Sequence, residues 1–287
     1  MNLAEQIRNK AKELLESKTV ECVIGYERAT DGLTARPLFV YEPEEVGKLI
    51  FDQTCTHNLV KYLLNRRDKA TAIVVKPCDS RAINLLLNEK QIQREKVLII
   101  GVVCPGIVET SWNQTSEKLP ARCQLCRQHT PVVYDFLVGE TPPTEPAVPK
   151  PYADIVEMEA KSVAERQSFW AEHFSRCIRC YACRQVCPGC YCSECFVEQL
   201  DPLWVGIRIA PSENQVWNAI RAFHLAGRCI GCHECERVCP VNIPLMLLNQ
   251  KLEKEVGELF NFQAGLSAEA LPPFATFQKG EKLGIGE

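Results

Sequence analysis

The sequence predicts two units: an α/β domain with a mainly parallel sheet, followed by a smaller, cysteine-dense α+β domain. Three observations carry this. Apolar runs of strand length alternate with helix-like segments through the first half, the pattern of parallel strands joined by helical crossovers. The stretch GETPPTEPAVPKPYAD at 139–154 is proline-rich, has little periodic hydrophobicity and reads as a stiffened linker. Beyond it, eleven of the chain's 17 cysteines fall between Cys177 and Cys239. The expected organisation is therefore residues 1–138 as the α/β domain, 139–154 as linker, 155–256 as the second domain and 257–287 as a tail.

The elements follow in order. Leu3, Ile7, Leu14 and Leu15 fit one face of an N-terminal amphipathic helix. VECVIGYE at 20–27 and RPLFVY at 36–41 read as strands. Residues 43–67 read as mostly helical, broken near Thr54–His57. ATAIVVK at 70–76 and KVLIIGVVC at 96–104 are short apolar runs rich in β-branched residues, hence buried strands. Between them, 79–89 reads as a helix with Asp79 as its N-cap. In the second unit, helices are expected at 159–174, at 212–227 with Ser212 and Gly227 as caps, and at 243–256. The tail carries Phe260, Phe262, Phe274 and Phe277 as anchors, for the parent domain or for a partner subunit.

Composition excludes several classes. The chain has 287 residues and is 46% hydrophobic, enough for two modest cores. A net charge of -3 argues against nucleic acid as the main partner. No stretch approaches the roughly 18 apolar residues of a membrane span. The N-terminus lacks the apolar core run and cleavage site of a secretory signal. A reducing, cytoplasmic compartment follows, and dense cysteine in such a compartment points to metal rather than disulfides. The histidines are scattered, with no nucleophile paired to any of them, so no hydrolase grouping is readable.

Cys177, Cys180, Cys183 and Cys187-Pro188 spell C-x2-C-x2-C-x3-C-P, and Cys229, Cys232, Cys235 and Cys239-Pro240 repeat it. Three cysteines at x2 spacing lie on one tight loop and can hold three irons of one cube. The fourth, on the turn beyond, serves the other cluster in two-cluster ferredoxins. One 4Fe–4S cluster then takes Cys177, Cys180, Cys183 and Cys239, and a second takes Cys229, Cys232, Cys235 and Cys187. This is the reading of the second unit as a ferredoxin-like, two-cluster domain. Zinc is the competing reading of C-x2-C.

Cys123 and Cys126 form a further C-x2-C, which alone is open to zinc, redox-dithiol or structural readings. Cys78 and Cys104 each follow a predicted strand, at the sheet edge where ligands collect. The four together make a third thiolate set, suited to a third 4Fe–4S cluster. Cys190, Cys192 and Cys195 then remain, with Cys22 and Cys55. Cys22 reads as a small buried hydrophobe. A fourth set would join Cys55 to Cys190, Cys192 and Cys195, with His57 as a substitute ligand, and would bridge the units. Zinc at the same residues, or unligated thiols, are its alternatives. Lys76, Asp79 and Arg81 flank Cys78; a solvated lysine, a helix cap and a surface ion pair account for them.

The stretch AIVVKPCDSRAI, VLIIGVVCPG and CQLC resembles the beta-subunit family of deazaflavin-coenzyme-reducing hydrogenases and formate dehydrogenases, over roughly residues 36–140. The resemblance implies one cluster on Cys78, Cys104, Cys123 and Cys126. It also implies FAD in members that reduce the coenzyme, which carry a larger segment between the later cysteines. Here eighteen residues separate Cys104 from Cys123, and no Gly-x-Gly-x-x-Gly turn is present.

Two functions follow. In the first, the chain is an electron-transfer subunit of an anaerobic oxidoreductase complex, passing single electrons along its clusters. Its partners would be hydrogenase, formate dehydrogenase or heterodisulfide-reductase-like subunits, or soluble ferredoxin. In the second, a flavin in the first domain exchanges two electrons with a deazaflavin or nicotinamide carrier. A zinc-stabilised interaction module is the non-redox alternative.

Overall fold

The computed structural model describes residues 2–111, 114–116, 118–124, 126, 128–142 and 152–275. Most of the proline-rich segment, at 143–151, and Phe277 lie outside the described residues, so the expected linker is not among the elements below.

The first unit is built on a five-stranded sheet. Helix α1 (Leu3–Glu16) starts where the Asn2 side chain accepts the Glu5 N–H at 2.9 Å. Its buried stripe is Ile7, Ala11, Leu14 and Leu15, the spacing of one helix face. Strands β1 (Cys22–Arg28) and β2 (Ala35–Val40) form an antiparallel hairpin with Val23 opposite Val40. Strands β3 (Thr71–Val75), β4 (Val97–Val102) and β7 (Phe136–Val138) run parallel to β1, in the order β2-β1-β3-β4-β7. All five residues of β3 are buried, which is why the run TAIVV is continuous rather than alternating. Strands β5 (Thr110–Ser111) and β6 (Gln114–Thr115) make a separate two-stranded ribbon.

Several local expectations are corrected. Residues 43–67 fold as two 3-10 helices, Pro43–Lys48 and Leu59–Asn65, not as α-helix. Between them the Asp52 carboxylate accepts the Thr54 N–H at 2.8 Å, and Asn58 restarts the chain by accepting the Val60 N–H at 3.1 Å. Helix α2 (Pro77–Asn88) begins two residues earlier than expected. Lys76 is its cap and Pro77 its first residue, where a missing N–H costs nothing. Asp79 sits in the first turn and accepts the Lys76 N–H at 3.2 Å. The ribbon, the short helix α3 (Ala121–Gln124) and β7 had no signal strong enough to read.

The second unit is helical. The expected helix at 159–174 is two, α4 (Ala153–Ala160) and α5 (Val163–Ser175). They part because Ser162 and Glu165 form a reciprocal capping box, the Glu165 carboxylate accepting the Ser162 N–H at 2.7 Å. Then come α6 (Ala182–Val186), α7 (Pro211–His224), α8 (Glu234–Arg237) and α9 (Leu245–Phe260). Pro211, not Ser212, opens α7. Among the described residues no strand follows Val138, so the expected α+β make-up of this unit lacks its β part. The segment joining the cysteine runs starts a helix at Pro211 and buries Asn214, Trp217, Asn218 and Arg221 at helical spacing.

The tail packs back on the first unit. Asn84 Nδ2 donates to Gly265 O at 3.0 Å, and Arg81 Nη2 to Ala264 O at 2.8 Å. Gly265 has φ +77, and a Cβ there would lie 2.3 Å from Arg81 O, so only glycine allows this approach. Phe262 packs on the sheet core while Phe260 stays exposed. Arg228 pairs with Glu89 across the same junction. No helix among the described residues is long and apolar enough to cross a membrane.

Candidate metal centres

The two cysteine runs fold alike. In each, the residue before the second cysteine has positive φ: Arg179 at 47° and Gly231 at 68°. The residue after it is also left-handed: Tyr181 and His233, both at 57°. That residue then caps the short helix bearing the third cysteine, Cys183 on α6 and Cys235 on α8. Left-handed backbone at a non-glycine costs about 1–2 kcal/mol per residue, so it persists only where the surroundings over-determine it. The Tyr181 ring is held edge-on by Trp217 at 5.0 Å. Arg179 is fixed by donation to the backbone carbonyls of Gly206, Ile207 and Arg208.

Sulfurs from the two runs lie within electrostatic reach of one another. Cys183 lies within electrostatic reach of Cys177, Cys239 and Cys180; burial, with those sulfurs, pushes its thiol up to about 11 against the pull of Arg221. Cys187, from the first run, stands near Cys229, Cys232 and Cys235, all raised chiefly by burial. The Cys235 thiol is pushed up to about 12. Such thiols hold their protons until a metal displaces them. Two further contacts reach the sulfurs: the Asn249 amide donates to Cys235 Sγ at 3.7 Å and the Ile243 N–H to Cys239 Sγ at 3.4 Å.

A third grouping lies at the carboxyl ends of β3 and β4. Cys78, Cys104, Cys123 and Cys126 line one cavity of ≈ 160 Å³ between the two units. This is close to the roughly 150 Å³ that accommodates a benzene-sized guest. Cys104 feels Cys123 and Cys126, and its thiol is pushed up to about 11, mainly by burial. Cys232, from the second run, lines the same cavity. So do Thr56, Asn58 and Arg122, whose buried Oγ1, Nδ2 and Nε atoms find no partner among the described residues. Four soft sulfur donors beside unsatisfied polar atoms fit an inorganic sulfide cluster better than an apolar guest.

The remaining cysteines are placed differently. Cys55 is 0% exposed in the sheet core, where it accepts the Asp52 N–H at 3.4 Å. Its charged neighbours are Asp52, Lys76 and Arg28, and burial pushes its thiol up to about 12. Cys190 instead contacts Cys187, and its carbonyl accepts from Lys61. Cys192 is exposed, and the Cys195 N–H donates to Glu198 at 2.9 Å. The geometry therefore does not bring Cys55 to Cys190, Cys192 and Cys195, because the Asp52–Thr56 turn folds that sulfur onto its own chain. His57 faces Arg237 and Glu234 of the second unit rather than these thiols.

Charged residues that read as solvated are buried here. Lys76 is 1% exposed and Asp79 0%; Lys76 Nζ donates to Asp79 Oδ2 at 2.8 Å, to His57 O at 2.7 Å and to the Tyr26 hydroxyl. Burial alone would lower the Lys76 ammonium, but Asp79 and its other neighbours hold it charged. Glu234 accepts from Arg237 at 2.7 Å and from Arg122, on the other unit, at 3.1 Å. Arg221 was also missed. Its only sequence signal was a place on one helix face with Asn214, Trp217 and Asn218.

Cysteine sets gathered beside a parallel sheet suit iron–sulfur ligation, and comparison with known proteins supports that class. Residues 225–244, which span the second run, match the 4Fe-4S binding domain family. The chain is 23% identical to the F420-dependent formate dehydrogenase subunit beta of Methanocaldococcus jannaschii, covering 93% of each chain. It is 23% identical to the F420-dependent formate dehydrogenase 1 subunit beta of Methanococcus maripaludis, covering 91% of this chain and 90% of that one. The first alignment runs over 358 positions against the 287 residues here, so that relative carries segments this chain lacks. This chain is accordingly an iron–sulfur electron-transfer subunit of an oxidoreductase.

Proposed function

We propose that the chain holds three 4Fe–4S clusters in a row and relays single electrons between the other subunits of a formate-dehydrogenase-like complex. Cys78, Cys104, Cys123 and Cys126 would hold one. Cys229, Cys232, Cys235 and Cys187 would hold the next, and Cys177, Cys180, Cys183 and Cys239 the last. When bound, each cluster supplies one-electron valence change at iron. The chain's own part is to hold the spacing, exclude water and direct N–H groups at sulfur, as Asn249 and Ile243 do.

The observation that carries this reading is Cys232, a member of the second set that also lines the cavity of the third. The similarity to formate dehydrogenase beta subunits favours that partner type among those expected from the sequence. Iron, sulfide and flavin per chain, measured on protein isolated without oxygen, tests it. About twelve irons with matching sulfide are expected, at four per cluster; zinc in place of iron would establish the interaction-module alternative.

A second reading adds a hydride carrier. It is favoured by the dependence on F420 in the relatives' names and by a further cavity of ≈ 660 Å³, lined by Arg122, His233, Arg237 and Asn242 among others. That volume lies within the roughly 300–1,000 Å³ range of small-molecule sites. Stoichiometric flavin in the purified protein would support this reading.

A further inference from the structure

The α7 helix lays one polar face along the first cysteine run. Asn214 Nδ2 donates to Cys177 O at 2.8 Å, and seven residues on, Arg221 Nη2 donates to Cys183 O at 3.0 Å. Arg221 is 3% exposed. Among the described residues no carboxylate pairs with it, and its Nε finds no partner. The groups around it are sulfurs of both sets: Cys183 from one, Cys235 and Cys187 from the other, with Cys190 beside them. It also lines a small apolar cavity with Cys187, Cys229, Cys232 and Cys235. A buried guanidinium without a counter-charge is strongly disfavoured, and among the described residues only the cysteine sulfurs beside it can supply that charge.

We propose that Arg221 is the shared counter-ion of the two clusters in the second unit, set between them so that one cation raises the potential of both. The inference rests on the cluster assignment above. A 4Fe–4S cube on four thiolates carries about two negative charges when oxidised and one more when reduced. A fixed cation nearby favours the more negative, reduced form. Because Arg221 adjoins sulfurs of both sets, its removal acts on both potentials at once. A residue that merely packed α7 against the first run would move neither in a fully loaded protein.

The test uses the full chain, isolated without oxygen, as wild type, Arg221→Gln and Arg221→Lys. Iron and sulfide are counted, and midpoint potentials are read by spectroscopically monitored titration. In a loaded Arg221→Gln protein both second-unit clusters should shift to more negative potential, while Arg221→Lys recovers most of the shift. Unmoved potentials, or a shift confined to one cluster, would overturn the proposal. If Arg221→Gln fails to load iron, loading by Arg221→Lys supports the counter-ion role, and failure of both variants refutes it. A wild-type protein without iron would instead remove the cluster assignment on which this rests.

Discussion

Cys78, at the carboxyl end of β3, and Cys232, in the second cysteine run, line one cavity although they belong to different units. The junction between the units is thus also the point where two of the cysteine groups adjoin. Cys78→Ser is expected to remove about four irons and leave the other two sets loaded. Iron counted per chain after anaerobic purification checks this; loss of all iron would show that the sets do not assemble independently.

The Lys76–Asp79 pair is a buried ion pair supported by Tyr26 and the His57 carbonyl. Removing one partner strands the other charge. Lys76→Ala should cost about 3–5 kcal/mol of stability. The double change Lys76→Met with Asp79→Leu should cost less than the single one. Denaturant unfolding of both variants checks this.

His57 carries a pH dependence. Burial, then the charge of Arg237, holds its imidazole down to about 4 against the pull of Glu234. In the unfolded chain it takes a proton below about 6.5. The stability gained by keeping it neutral is therefore intact above that value and drains as pH falls toward 4. The total is on the order of 3 kcal/mol. His57→Gln should flatten the slope of stability between pH 6.5 and 5.5, measured by denaturant unfolding; an unchanged slope would exclude His57 as its source.

Cys55 sits in the core against Tyr26 and Asp52 rather than beside other thiols. Cys55→Ala should leave the iron content unchanged and cost about 1 kcal/mol, the order of one buried methylene-sized group. A loss of iron in this variant would restore the fourth set.

How much of this was legible depends on whether the signal was local. The C-x2-C-x2-C-x3-C-P runs declare iron–sulfur chemistry because three ligands of one cube come from a single loop. The runs TAIVV and VLIIGV declare buried parallel strands because both faces of such strands are covered. Phe136–Val138 is three residues long, too short for any periodicity to show. Lys76, Glu234 and Arg221 were unreadable as buried, since charged side chains are almost always solvated unless paired. Lys76 and Glu234 each have one partner three residues away, Asp79 and Arg237, but the groups that close over them, Tyr26 and Arg122, lie far away in sequence. Cys55 misled because its neighbours Asp52, Thr54, Thr56 and His57 are polar. The turn satisfies the Asp52 and Thr54 groups internally, so the sulfur can be buried. The helices of the second unit were legible near 159–174, 212–227 and 243–256, but the lack of strands among its described residues was not, because cysteine spacing fixes the ligand loops and says nothing of what joins them.

Three iron–sulfur sites placed as proposed would stand close enough together for their electrons to be shared along the chain. Electron paramagnetic resonance of the fully reduced protein should then show about three spins per chain, in a spectrum broadened by mutual coupling that simplifies when Cys78 is replaced by serine. A single sharp, uncoupled signal, or none at all from a protein whose thiols hold zinc, would contradict it.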